Sequence, residues 1–275
     1  MIPAAFDYQR AGSVDEAVAL LAEHGDEAKL LAGGHSLLPL MKLRLATPAL
    51  LVDIGRLRDL SYVRDAGDHV AVGGLTRHHD LQVSDVLAEH APLLAHAAGQ
   101  VGDPQVRHRG TIGGSIAHGD PASDLPAVLL ALRATAVVRG PAGERTIEAD
   151  DLFTGFLETA IGPDELLTEL RIPKATGLGW SFQKLNRRAQ DWAIVGVACV
   201  AAAEGGASIG LVNMAPQPVR AGATEAALAA GAALDDAAAM ADEGTDPSAD
   251  LNASADYRRH LARVLVRRAL EESSV

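Results

Sequence analysis

The sequence predicts an α+β chain: two small α/β subdomains in succession, then an antiparallel sheet with helices. Three observations predict it. Helical and strand-like segments alternate from Ser13 to about residue 55, and a second such series runs from about Leu57 to Pro173. Each series contains a glycine pair with a hydroxyl residue close after it, Gly33-Gly34 with Ser36 and Gly113-Gly114 with Ser115. Beyond the glycine-containing stretch Lys174 to Gly179, three apolar strand-like runs follow one another with short breaks. The expected units are residues 1–56, 57–173 and 174–275. Hydrophobic residues make up 48% of the 275, enough for a sizeable core, but aromatics are only 3%, so Ala, Leu, Val and Ile must build it.

In the first unit, Ser13-Val14-Asp15-Glu16 reads as a capping box opening a helix through His24, with Gly25 as its stop. Lys29 to Ala32 is a short strand running into Gly33-Gly34. Leu37 to Leu45 is helical, with Pro39 in the tolerant first turn, and Leu50 to Asp53 is a strand. In the second unit, His69 to Gly74 is a strand, Thr76 to His90 one helix and Pro92 to Gln100 another. A glycine-rich loop spans Gly110 to Gly119, then a helix Ser123 to Leu132. A hairpin pairs Thr135–Arg139 with Arg145–Ile147, and Leu166 to Ile172 is a strand closed by Pro173. In the third, strands Trp180–Leu185, Ala193–Ala203 and Ala207–Ala215 precede helices near Ala221–Gly231 and Asp256–Glu272. Asp235 to Asn252 reads as a polar connector.

Composition excludes several functions. A net charge of −12 makes the nucleic-acid backbone and anionic membranes poor partners. One cysteine cannot form a disulfide framework, a cysteine zinc site or a four-thiolate iron–sulfur cluster. The longest apolar run, Ala193 to Ala203, is too short to span a bilayer. Met1 to Asp7 has neither a basic start nor an apolar core, so no secretion signal is expected and the chain reads as cytoplasmic.

Ala32-Gly33-Gly34-His35-Ser36-Leu37-Leu38-Pro39 joins a strand to a helix start. Glycines there admit a tight turn and a close ligand, and the freed N–H groups with the positive helix end favour a phosphate. Ser36 either caps the helix or donates to a phosphate oxygen. An ordinary strand-to-helix turn would ask for the same small residues. Gly110 to Asp124 repeats the devices: a glycine pair, flanking hydroxyls and a carboxylate ahead of a helix. Two such loops in separate units suggest a ligand with two phosphates clamped between them. Asp124 then either accepts from a ribose diol or serves as a helix N-terminal carboxylate.

Rival motifs score poorly. Gly34-His35-Ser36-Leu37-Leu38 and Gly113-Gly114-Ser115-Ile116-Ala117 both lack the final glycine of a nucleophile elbow, and neither a Rossmann fingerprint nor a Walker A loop occurs. His78-His79-Asp80 is a weak metal candidate, since adjacent helix residues diverge by roughly 100°; a solvated helix face is expected there. Cys199 reads as an inert core residue. Arg187-Arg188 with Lys184 is a local basic spot, readable as a solvated turn or a contact for an acidic group.

Ala32-Gly33-Gly34-His35-Ser36 and Thr111-Ile112-Gly113-Gly114-Ser115 resemble the two FAD diphosphate-binding motifs of the flavoprotein subunits of molybdenum hydroxylases. That family includes the medium subunit of aerobic carbon monoxide dehydrogenase and the flavin domain of xanthine dehydrogenase. The likeness spans nearly the whole chain. Ile2-Pro3, Phe6-Asp7-Tyr8, Leu37 to Lys42, Arg44 to Pro48 and Gly119-Asp120-Pro121 are most similar to the carbon monoxide dehydrogenase branch. The resemblance implies a PCMH-type FAD-binding fold, two α/β subdomains clamping FAD, with a C-terminal flavoprotein domain. It implies that Ala32 to Ser36 with Leu37, and Thr111 to Ser115, hold the diphosphate through backbone N–H groups, with Asp120 nearby. Asp124 matches the aspartate on the adenine-side ribose, and Leu167 and Lys184 match positions at the flavin end. Trp192 stands where carbon monoxide enzymes have a tyrosine near the isoalloxazine ring, and Ser115 where many relatives have asparagine.

The function so implied is electron transfer, with no catalytic acid, base or nucleophile and no metal on this chain. Substrate is oxidised at a molybdenum cofactor in a large subunit, and electrons pass through [2Fe–2S] clusters of a small subunit to FAD and on to an acceptor. The expected assembly is a dimer of heterotrimers, cytoplasmic or at the inner face of the membrane through the complex. FAD is expected to be non-covalent, although His35 marks where a covalent link would form. Carbon monoxide is the expected substrate of the complex; a purine, an N-heteroaromatic or an aldehyde is the alternative within the family. A stand-alone flavin oxidase or reductase, or a flavin-less assembly protein, is the alternative outside it.

Overall fold

The computed structural model describes residues 2–202 and 205–274. Met1, Ala203 and Val275, which bound predicted segments, lie outside them. The N-terminal lobe runs β1 (Asp7–Arg10), α1 (Val14–His24), β2 (Ala28–Leu31), α2 (Leu37–Leu43) and β3 (Leu50–Asp53). Its sheet is parallel in the order β1-β3-β2, with Asp7 opposite Leu50 and Ala28 opposite the same residue on the other side. Ala17, Val18 and Leu21 of α1 are buried against it. The capping box forms one residue wider than expected: Ser13 Oγ accepts the Glu16 N–H at 3.1 Å, but the Glu16 carboxylate accepts from Gly12 at 2.7 Å. β1 was not predicted. All four of its residues are exposed, so it has no apolar alternation, and only pairing with β3 defines it.

The middle lobe runs β4 (Val63–Asp65), β5 (His69–Gly73), α3 (His78–Gln82), α4 (Asp85–His90), α5 (Pro92–Gly99), α6 (Pro104–Arg107), α7 (Ile112–His118) and α8 (Asp124–Leu132). There follow β6 (Thr135–Gly140), β7 (Gly143–Glu148), α9 (Ala149–Leu152), β8 (Phe153–Gly155), β9 (Glu158–Thr159) and β10 (Leu166–Pro173). β4-β5-β10-β6-β7 form one antiparallel sheet, and β8 and β9 pair separately. Two expectations are corrected here. The single helix over Thr76–His90 is two, because Ser84 restarts the helix by accepting the Leu87 N–H at 3.3 Å. The glycine-rich loop is itself a helix, α7, begun by Thr111 and ended by Gly119 in the left-handed conformation.

The C-terminal region runs β11 (Trp180–Leu185), β12 (Val195–Ala201), β13 (Ala207–Val212), β14 (Val219–Arg220), α10 (Gly222–Ala229), α11 (Leu234–Ala238) and α12 (Ala255–Glu272). Its antiparallel sheet, in sequential order, is covered by α12 through Leu261, Leu265, Val266 and Ala269. Against β12 and β13 also lies α8, all nine of whose residues are buried. An all-round apolar helix has no solvent face to offer and belongs between layers, and α8 joins the middle core to this sheet. Covered on both faces, β12 reads as the unbroken apolar run that the sequence displays. The expected polar connector 235–252 contains α11 and the buried Ala237, Ala238 and Ala241, small side chains that leave no strong hydrophobic pattern.

Candidate cofactor-binding site

β2 delivers the chain into Ala32-Gly33-Gly34 and α2 takes it away from Leu37. Gly34 turns it with φ +77°. Leu38 N–H is bonded to Gly34 O at 3.1 Å; before it, among the described residues, the N–H groups of Gly33 to Leu37 have no protein acceptor. Ser36 occupies the cap position without a side-chain cap bond, so its hydroxyl is free, and His35 Nδ1 lies 3.3 Å from Gly33 O. A run of open amides at a helix start is an anion cradle.

The second loop differs. Ile112 N–H donates to Thr76 O at 3.0 Å, Gly113 to Gly74 O at 2.9 Å, Gly114 to Thr111 Oγ1 at 3.2 Å and Ser115 to Thr111 O at 3.0 Å. Four of the amides expected to hold the diphosphate thus already have protein acceptors, building α7 and seating it. Among the described residues the Thr111 N–H has no protein acceptor, Gly114 is exposed and Ser115 is half-buried.

The two glycine pairs have a common purpose that the sequence did not disclose. A Cβ at Gly33 would stand 2.5 Å from Arg109 O and 3.0 Å from Gly110 Cα; one at Gly113 would stand 2.5 Å from Gly74 O. The missing side chains of Gly33 and Gly113 admit protein backbone. The first loop thus lies on the residues that lead into the second, and Arg77 also donates to Arg109 O. The open amides and α7 meet at one seam between lobes. This seam fits a diphosphate: it offers unpaired N–H donors and hydroxyls, with Arg77 and Arg107 close enough to act electrostatically on His78 beneath it.

Beside the seam a cleft of about 890 Å³ draws its walls from all three regions, including Leu40, Val106, Asp120, Phe156, Asp191 and Trp192. Asp120 is 7% exposed, accepts the Ala122 N–H at 2.9 Å, and is pushed above the usual carboxylate range by burial. Trp192, 68% exposed, stands at the cleft wall.

The remaining predicted residues lie elsewhere. Lys184 Nζ is 2.7 Å from Asp124 Oδ2 and donates to Gln100 O at 3.1 Å, with both side chains buried. Burial pushes Asp124 up to about 6, while Lys184 pulls it down. The two residues expected at the adenine-side ribose and at the flavin end are thus bonded to each other. Leu167 is core, packed on Gly74 behind the Gly113 contact. His78, expected on a solvated face, is 2% exposed and bonded to Ser115. Among the described residues no group of three or more His, Cys, Asp or Glu is placed to hold a metal, and Cys199 is buried with its thiol pushed up to about 11. No described helix is long and apolar enough to cross a membrane.

Comparison with known proteins places this architecture. Residues 4–175 match the family described as the FAD binding domain in molybdopterin dehydrogenase, and residues 180–273 match the CO dehydrogenase flavoprotein C-terminal domain. The chain belongs to this flavoprotein family of the molybdopterin dehydrogenases. It is 44% identical to the carbon monoxide dehydrogenase medium chain of Hydrogenophaga pseudoflava, over 98% of this chain and 97% of that one. It is 38% identical to the 6-hydroxypseudooxynicotine dehydrogenase complex subunit alpha of Paenarthrobacter nicotinovorans, over 99% and 96%. A solved structure of carbon monoxide dehydrogenase from Hydrogenophaga pseudoflava superposes with a TM-score of 0.95 at 46% identity, covering 100% of this chain and 99% of that one.

Proposed function

We propose that this chain is the FAD-binding, electron-transferring subunit of a molybdenum hydroxylase of the carbon monoxide dehydrogenase type. The observation that carries the proposal is the seam: open amides from Gly33 to Leu37, with Gly33 set against the backbone of Arg109 and Gly110 just ahead of α7. The 44% identity to a carbon monoxide dehydrogenase medium chain over nearly full length supports the choice of branch. Bound there, FAD would supply reversible electron uptake between redox centres of partner subunits and an external acceptor.

On this reading the chain's own work is binding and placement. Gly33, Gly34, His35, Ser36 and Leu37 give N–H donors to the diphosphate, Thr111 and Ser115 add an amide and hydroxyls, and the start of α7 adds its positive end. Asp120 and Trp192, on the cleft wall, border the rest of the dinucleotide. Asp124 and Lys184 act together as the buried tie between α8 and β11 that fixes the C-terminal sheet beside the cleft. The working units are 1–56, 57–173 and 174–275. With its single cysteine buried, the chain leaves molybdenum and [2Fe–2S] clusters to a large and a small partner subunit, in a dimer of heterotrimers. His35 keeps its ring on Gly33 O, and FAD is held without a covalent bond.

The test is copurification of the complex from its source, metal analysis, and reduction of the flavin by candidate substrates. Expected are molybdenum, iron and noncovalent FAD, with carbon monoxide reducing the flavin of the complex but not of the isolated chain. Turnover by the isolated chain would overturn the subunit reading. The 38% identity to a 6-hydroxypseudooxynicotine dehydrogenase subunit favours one second reading, an N-heteroaromatic substrate; reduction by such a compound and not by carbon monoxide would select it.

A further inference from the structure

His78 is an unusual residue to find beneath an exposed loop. It opens α3, its own N–H donates to Gly110 O at 3.1 Å, and its ring is 2% exposed. The imidazole fills the space where a Gly110 side chain would stand, with Cδ2 at 2.6 Å and Nε2 at 2.8 Å from that position. Gly110 is also the residue on which Gly33 rests, so the ring supports the junction of the two loops from below. Its neighbour His79 stacks on His108, ring centroids 4.2 Å apart, bracing α3 from the other side.

One nitrogen of this ring has a partner and one has none. Nε2 lies 3.1 Å from Ser115 Oγ, whereas Nδ1 is buried and unpartnered. A buried N–H without an acceptor is the rarer and costlier defect, so the ring proton belongs on Nε2. Burial, reinforced by the positive fields of His35, Arg77 and Arg107, pulls His78 down to about 4, which keeps the ring neutral near pH 7. A neutral ring donating through Nε2 uses an acceptor lone pair of the Ser115 hydroxyl. The hydroxyl proton is then free to point away from the ring, toward the seam.

We propose that His78 is a positioning residue for the cofactor: by donating to Ser115 Oγ it orients that hydroxyl to donate to the diphosphate. The assignment rests on the FAD reading above. It gives Ser115 a defined donor where the protein has no asparagine amide to offer, and it explains why a polar ring is kept in an otherwise packed place.

The experiment is titration of FAD into the deflavinated full-length protein, followed by flavin fluorescence, for wild type, Ser115→Ala, His78→Gln, His78→Asn and the double variant His78→Asn/Ser115→Ala. Glutamine places an N–H donor near the position of Nε2, and asparagine is too short to do so. Ser115→Ala and His78→Asn should each weaken FAD binding on the order of tenfold, as expected for one hydrogen bond to a charged group. His78→Gln should stay within about twofold of wild type, and the double variant should be no worse than Ser115→Ala alone. The unfolding midpoint of each apoprotein is measured alongside. Losses that multiply in the double variant, or equal losses in the Gln and Asn variants, would overturn the assignment and make His78 a packing residue. A wild-type protein that takes up no FAD would overturn the FAD reading itself, a distinct result.

Discussion

Asp124 and Lys184 impose a demanding condition at the scale of single residues. A carboxylate 6% exposed sits against an ammonium 7% exposed, at 2.7 Å, with Asp124 Oδ1 lacking a partner. Breaking a buried pair from one side costs about 3–5 kcal/mol, because the other charge is left in a poor solvent. Lys184→Met should therefore lower the urea-derived stability by about that amount, and adding Asp124→Leu should recover most of it. The pH dependence follows from the raised acid. Folded Asp124 titrates at about 6, above an unfolded aspartate, so the native state binds its proton more tightly. That contribution to stability is complete below the unfolded value near pH 4 and is lost as pH rises through about 6. The stability of wild type relative to Asp124→Asn should accordingly fall between pH 4 and 6 and level off above. A difference that rises over this range would mean the pair is ionised throughout and Lys184 outweighs burial.

At the scale of elements, the Gly33 contact joins the N-terminal lobe to the middle lobe, and the Gly113 contact seats α7 on Gly74 within the middle lobe. Since a Cβ at Gly33 or Gly113 would strike backbone at 2.5 Å, Gly33→Ala and Gly113→Ala should each cost about 1–3 kcal/mol of stability, in the range of overpacked cores, and weaken FAD binding together with it. Lost FAD with unchanged chemical stability would instead show these positions facing ligand. The same contacts explain what the sequence could and could not reveal. Glycine pairs between a strand and a helix drew attention to the two loops that the fold brings together, and Ser13, Ser123 and Pro92 marked helix starts. What was illegible depended on partners far away in sequence. β1 exists only because β3 lies beside it; α7 is a helix because Thr111 caps it and Gly74 receives it. The burial of His78 required knowing that Gly110 leaves it room. Asp124 and Lys184, read separately, each resembled a ligand contact, and only the fold brings them together. The local signs missed were Ser84, a capping residue in the middle of an expected helix, and Asp103-Pro104, the cap and first residue of α6.

For the whole molecule, the decisive question is whether one ligand spans both lobes. A chain of net charge −12 gains nothing from an anion in general, so a diphosphate must be held by the local donors of the seam. A ligand that binds only the folded state stabilises it by about 2.7 kcal/mol at one hundred times its dissociation constant. For a protein of this size that corresponds to an unfolding midpoint raised by roughly 5–10 °C. FMN, at the same concentration, brings one phosphate and no adenosine; it cannot bridge the amides of Gly33–Leu37 and the start of α7, and its shift should be a small fraction of that for FAD. ADP, with the diphosphate and the adenosine but no flavin, should fall between the two. Calorimetry adds the sharper criterion. If the lobes share the ligand, FAD should raise a single cooperative transition, since the seam cannot open without releasing it. An FAD-dependent rise confined to one of two resolved transitions, or equal shifts with FAD and FMN, would place the ligand on one lobe and dissolve the clamp.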